Sequence, residues 1–224
     1  VSPDSNSVAV SVKSKESNEV LVVRLEKRVL IRSVKGSFDE RYSTLVWQNN
    51  SKSFAFSSKP VGSNLATAVW LYKTGEDKLF SFDTHNDRQW EQSRLLSCSA
   101  PSSLAISDDG ARVFFTSIKK SFDTPLKDSV EIWNAADKDL WHYRMRGWHN
   151  SAKEFVWWPE KGKISMIGTD GQITGKVSGD QKYFLTYDTA PYKPSLKYAP
   201  DLDIYITNLE SGAISLLLKK QFGE

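Results

Sequence analysis

A polar turn recurs four times along the chain, each time ahead of a short apolar run. Ser2-Pro3-Asp4-Ser5-Asn6 leads into Val8, Val10 and Val12, and Gln48-Asn49-Asn50-Ser51-Lys52 leads into Phe54 and Phe56. Ser107-Asp108-Asp109-Gly110 leads into Val113-Phe114-Phe115, and Ser178-Gly179-Asp180-Gln181-Lys182 leads into Tyr183-Phe184-Leu185. Asp, Asn and Gly suit such turns because they tolerate positive φ and hydrogen-bond the nearby backbone. Alternation of apolar and polar residues after the turn marks a half-buried strand. The four copies are therefore four versions of one hairpin.

A second hairpin follows each of the first two: Val20 to Leu25 with Val29 to Val34, and Ala68 to Tyr72 with Lys78 to Phe82. In the later units Glu154 to Trp158 pairs with Lys163 to Ile167 across Glu160-Lys161-Gly162, and Asp203 to Leu209 pairs with Ala213 to Leu218 across Glu210-Ser211-Gly212. The turn residues Asp4, Asn50, Asp109 and Asp180 are 46, 59 and 71 residues apart. Four-stranded units at such spacing predict propeller blades. The expected fold is all-β, a β-propeller fragment of about four four-stranded antiparallel blades, at residues 1–40, 41–95, 96–170 and 171–224. Val1 stands directly before a turn that should follow an innermost strand, so the first blade is expected to lack that strand and the ring to be incomplete.

Eight Trp and 12% aromatic residues suit such an architecture. The 30 basic and 27 acidic residues are interspersed, with no polybasic stripe for phosphates, so nucleic acid is not an expected partner. No apolar run approaches the roughly 18 residues of a helical membrane span, and no span is expected. Cys98 is the single cysteine, which excludes an intrachain disulfide and a cysteine-based zinc site; a small buried hydrophobe between Leu96 and Ala100 is its expected role.

The most aromatic stretch carries Trp133, Trp141, Tyr143 and Trp148, with Arg144 and Arg146 among them, and a short helix could form over Asp137 to Arg146. These six residues are the candidate substrate or partner surface, continuing toward Trp158; the competing reading is that the aromatics cover the unit's own outer face. His85, His142 and His149 are too scattered to make a metal site, and Asp201-x-Asp203 suits a turn cap better than calcium. No metal, cofactor or catalytic residue is expected in the chain, which has no Walker motif or dinucleotide fingerprint.

Val130-Glu131-Ile132-Trp133-Asn134, then Ser178-Gly179-Asp180-Gln181-Lys182-Tyr183 and Thr189-Ala190-Pro191-Tyr192, resemble the propeller of bacterial prolyl-oligopeptidase-type serine peptidases. The hairpin from Asp203 to Gly212 is similar to a blade ending of those proteins. The resemblance implies a propeller that precedes an α/β-hydrolase domain and restricts which peptides reach its catalytic Ser-Asp-His set. It also implies a periplasmic or secreted protein. The chain itself has no Gly-x-Ser-x-Gly elbow: in Gly175-Lys176-Val177-Ser178-Gly179 the serine comes one position late. Nor is there a Glu-Glu dipeptide, the feature by which dipeptide-releasing relatives hold an amino terminus.

The expectation is thus a non-catalytic propeller portion that gates and recognises peptide substrate, with the hydrolase domain of the same protein as its partner. The alternatives are a binding or scaffold propeller for a protein or glycan, without a hydrolase, and a half-propeller that forms a homo-oligomeric ring.

Overall fold

The computed structural model describes residues 1–14, 18–36, 39–97, 103–119, 152–193, 195 and 200–222. Among these the chain is all-β, with 16 strands and two short 3-10 turns. Four sheets succeed one another, none closed into a ring. The first contains β1 (Ser7–Lys13), β2 (Asn18–Arg24) and β3 (Val29–Gly36). The second contains β4 (Glu40–Trp47), β5 (Ser53–Pro60), β6 (Ala68–Lys73) and β7 (Lys78–Asp83).

In the third, β8 (Arg94–Ser97) and β9 (Leu104–Ile106) both pair with β10 (Val113–Lys119), which continues to β11 (Lys153–Trp158) and β12 (Lys163–Met166). The fourth contains β13 (Ile173–Val177), β14 (Tyr183–Asp188), β15 (Leu202–Asn208) and β16 (Ile214–Gln221). Sequential antiparallel strands of this kind are the blade organisation of a β-propeller. The sheets hold three, four, five and four strands rather than four each. The fifth arises because the position of a single inner strand is shared by β8 and β9.

The repeated turns have one geometry. In each, the backbone N–H of the first residue donates to the carbonyl of the sixth: Ser2 to Ser7 (2.8 Å), Gln48 to Ser53 (2.9 Å), Ser107 to Arg112 (2.9 Å) and Ser178 to Tyr183 (2.8 Å). The fourth residue lies in the left-handed region every time, with φ of 59° at Ser5, 63° at Ser51, 69° at Gly110 and 55° at Gln181. Gly110 is the glycine this geometry most requires, since an added Cβ would also lie 3.0 Å from Gln48 Nε2.

Two compact units contain the sheets: residues 1–117 with 154–165, and residues 118–153 with 166–224. In the first unit the central strands of the second sheet are covered on both faces. Because successive side chains alternate, β5 sends Phe54 and Phe56 to one side and Ala55 and Ser57 to the other, and all four are buried. Phe54, Phe56, Tyr42 and Tyr72 pack with Val20, Val22 and Val34 of the first sheet. Tyr42 meets Phe56 edge to face at 5.3 Å. On the opposite side Phe82 joins Trp90, Phe115 and Trp157 at 5.5, 5.4 and 6.2 Å. Each such fully buried ring contributes roughly 2–3 kcal/mol of transfer free energy.

In the second unit the core side of the fourth sheet is polar as well as apolar. Phe184 and Thr186 are buried on β14, and buried Gln172 accepts from Thr186 Oγ1 (3.0 Å) and from the Thr169 N–H (3.1 Å) through one oxygen. Lys153 Nζ donates to the Gln172 carbonyl. On β16, Ile214, Leu216, Leu217 and Leu218 are exposed.

Candidate functional site

Trp133, Trp141, Tyr143, Arg144, Arg146 and Trp148 lie outside the described residues, as do Cys98, His142, His149 and the helix expected over Asp137 to Arg146. The described end of that aromatic stretch is not a partner surface. Phe155, Val156, Trp157 and Trp158 on β11 are all buried. Trp90 and Phe115 flank Phe155 at 5.0 and 6.0 Å, and the Lys163 ammonium sits 4.9 Å from the Trp158 ring centroid. Alternation sends Phe155 and Trp157 to one face and Val156 and Trp158 to the other, and the sheet is covered on both. The expected surface therefore does not extend to Trp158.

The carboxylates of the repeated turns are occupied by their own turns. Ser2 Oγ donates to Asp4 Oδ1 (2.6 Å) and accepts the Ser7 N–H (2.9 Å). Ser178 Oγ donates to Asp180 Oδ1 (2.6 Å) and accepts the Tyr183 N–H (3.0 Å). Ser107 Oγ donates likewise to Asp109 and accepts the Arg112 N–H (2.9 Å). The serine hydroxyls of Ser2 and Ser178, with the following backbone N–H groups, hold Asp4 and Asp180 below the usual carboxylate range. At Asp109 burial pushes upward, but the Ser107 hydroxyl, the Ala111 N–H and Arg112 outweigh it and the net shift is downward. Ser178 is thus a turn residue, with its hydroxyl oriented for capping rather than for nucleophilic attack.

Neighbouring turns of the first unit are joined side by side. The Asp4 N–H donates to Ser51 Oγ (3.0 Å), and Asn49 Nδ2 donates to Asp108 Oδ1 (2.7 Å). Buried Gln48 reaches the Asp108 carbonyl through Nε2 (2.7 Å). Among the four first residues, Gln48 alone replaces the serine, and its longer side chain links two turns instead of closing one.

Asp203 is likewise a structural acceptor. Tyr192 Oη donates to Asp203 Oδ1 (2.6 Å), as does the Lys220 N–H (2.8 Å). These bonds lower the Asp203 carboxyl, and the hydrogen bond to Asp203 pushes the Tyr192 phenol up to about 12. Among the described residues no group of three or more His, Cys, Asp and Glu is placed to hold a metal ion.

One partly buried acid escaped the sequence reading. Glu154, at the start of β11, accepts from Thr116 Oγ1 (2.8 Å), and burial raises its carboxyl above the usual range despite that bond. A Glu directly ahead of the apolar run Phe155 to Trp158 was the available signal.

No family model matches the chain, and no curated protein matches it. Solved structures do. The β-propeller domain of the Trilobed protease from Pyrococcus furiosus is 9% identical with a TM-score of 0.47, over 96% of this chain and 54% of that one. The Pyrococcus horikoshii acylaminoacyl peptidase is 14% identical with a TM-score of 0.45, over 96% of this chain and 30% of that one. TolB from Acinetobacter baumannii is 14% identical with a TM-score of 0.37, over 97% of this chain and 42% of that one. The chain spans about half or less of the length of these solved chains.

Proposed function

We propose that the chain is the non-catalytic propeller portion of a prolyl-oligopeptidase-type serine peptidase, exported to the periplasm or beyond, in which it gates and recognises peptide substrate ahead of an α/β-hydrolase domain. The observation that carries this reading is a succession of blade-type sheets in which the one near-match to a nucleophile elbow, at Ser178, is a hairpin turn. Two segments of the family resemblance, Thr189 to Tyr192 and Asp203 to Gly212, also meet through the Tyr192–Asp203 hydrogen bond. A gate needs rigid blades, and the aromatic cores described above supply them.

The test uses the protein encoded by the open reading frame that contains this chain. A fluorophosphonate probe is expected to label a serine outside residues 1–224, and deleting the propeller portion is expected to admit longer peptides to that serine. Labelling of a serine within residues 1–224, or unchanged length selectivity after the deletion, overturns the reading.

A further inference from the structure

A cleft of about 320 Å³ opens at the end of the second sheet opposite its Gln48 turn, with Glu40, Trp70, Ser81, Asp83 and His85 in its walls. Its existence follows from side-chain size. Trp70 pairs across the strands with Ser81, and Ala68 pairs with Asp83. Ala68 and Ser81 are too small to fill the space beside the indole, so a hollow remains where the neighbouring rows hold rings.

The titratable groups in the walls are two carboxylates and one imidazole. Glu40 and Asp83 contribute two carboxylates, with His85 Nδ1 3.4 Å from Asp83 Oδ1, and among the described residues no Lys or Arg lines the cleft. Strand alternation explains the second fact: Arg41 and Lys59 are cross-strand partners, one residue along from Glu40 and Pro60, and so belong to the opposite face. Asp83 accepts the His85 N–H (2.9 Å) and Asn86 Nδ2 (2.6 Å), which fix its carboxylate at the rim.

Trp70 supplies an apolar wall. Its indole N–H donates to Ser58 Oγ (3.2 Å), and its ring stacks on wholly buried Phe56 with 5° between planes and 6.0 Å between centroids. With the N–H used inside and one face on Phe56, what remains for the cleft is π surface. A π surface flanked by two carboxylates favours a cation carrying apolar carbon. The volume is at the small end for ligand pockets, which suits one headgroup or one side chain.

We propose that this cleft binds an organic ammonium group, seated on Trp70 and countered by Glu40 and Asp83. The inference is independent of the peptidase reading, since it rests on the second sheet alone. The same chemistry is offered by a small quaternary amine and by a lysine side chain, and two probes separate them: choline and n-butylammonium.

Titration of the 224-residue chain with each probe is followed through the nitrogen-labelled indole resonance of Trp70, assigned with Trp70→Phe. Saturable shifts of that resonance are expected with at least one probe. Tighter binding of choline points to a small-molecule source, and tighter binding of n-butylammonium to lysine. The neutral carbon isostere of choline, dimethylbutanol, is expected to bind at least about threefold more weakly. Glu40→Gln and Asp83→Asn, each retaining an acceptor, are expected to weaken the ammonium by about two- to fivefold with unchanged circular dichroism. Equal binding of the isostere, unchanged affinity in both variants, or no shift of the Trp70 resonance with either probe overturns the proposal; if one variant fails to fold, the other and the isostere still decide.

Discussion

Gln48 Nε2 donates to the carbonyl oxygen of Asp108 across 2.7 Å, so that one repeated turn is fastened to the next by a buried side chain. The other oxygen-bearing end of the same amide, Oε1, has no hydrogen-bond partner among the described residues. Gln48→Ala is expected to cost about 1–2 kcal/mol in chemical denaturation. Gln48→Glu is expected to cost more at neutral pH, because it removes the donor and buries a carboxylate against a carbonyl. That acid would have a raised folded pKa, so the excess cost is expected to disappear below the unfolded carboxylate range and to grow as pH rises through the folded value. A Gln48→Glu variant with flat pH dependence would contradict this account.

The two serines Ser107 and Ser178 close the same turn in different surroundings, one fully buried and one partly exposed. Ser107→Ala is expected to lower stability by about 1–2 kcal/mol and Ser178→Ala by less than about half of that, since water replaces the lost partner only at the exposed turn. Asp109, Asp4 and Asp180 have depressed folded pKa values. Their stabilisation is therefore present above the unfolded carboxylate range and is lost as pH falls through the folded values. Acid titration of unfolding, compared between the parent and the serine variants, measures it.

Glu154 has the opposite sign. Its raised folded pKa means that its contribution is most favourable below the unfolded carboxylate range and is lost as pH rises through the folded value. Glu154→Gln retains an acceptor for Thr116 and removes a partly buried charge, so it is expected to stabilise by roughly 0.5–1.5 kcal/mol at neutral pH and to have little effect in acid. A loss of stability at neutral pH would show that the ionised carboxylate has a partner strong enough to offset its burial.

Trp157→Ala removes a ring that is buried against Phe82. The expected cost is about 3–5 kcal/mol, that of a core aromatic deletion, read as a lower denaturation midpoint. A variant that unfolds at the parental midpoint would return β11 to the surface.

Tyr192 is expected to ionise late, near 12, because its hydroxyl donates to Asp203. Tyrosine absorbance followed through alkaline pH should lose one late-titrating group in Tyr192→Phe. By linkage, the raised value stabilises the fold fully below the ordinary tyrosine pKa and less as pH rises toward 12.

The amino-acid sequence by itself determined the four turns and the strands beside them. A Ser or Gln, an Asp or Asn two residues on, and a fourth residue tolerant of positive φ make their hydrogen bonds within six residues, so no distant contact is needed to form them. Alternation then assigned Val20 and Val22, or Phe54 and Phe56, to a common face. Only the tertiary structure decided which faces are covered. Trp157 and Trp158 read as aromatic surface until both sides of β11 are seen to be packed, and the inner position of the third sheet reads as one strand until β8 and β9 divide it. The bond from Gln48 to Asp108 and the hollow left beside Trp70 by Ala68 and Ser81 join residues from different strands and turns. Their energies depend on separations that a linear chain does not specify, and so they emerge only once the sheets have formed and, for Gln48 and Asp108, once neighbouring sheets have packed.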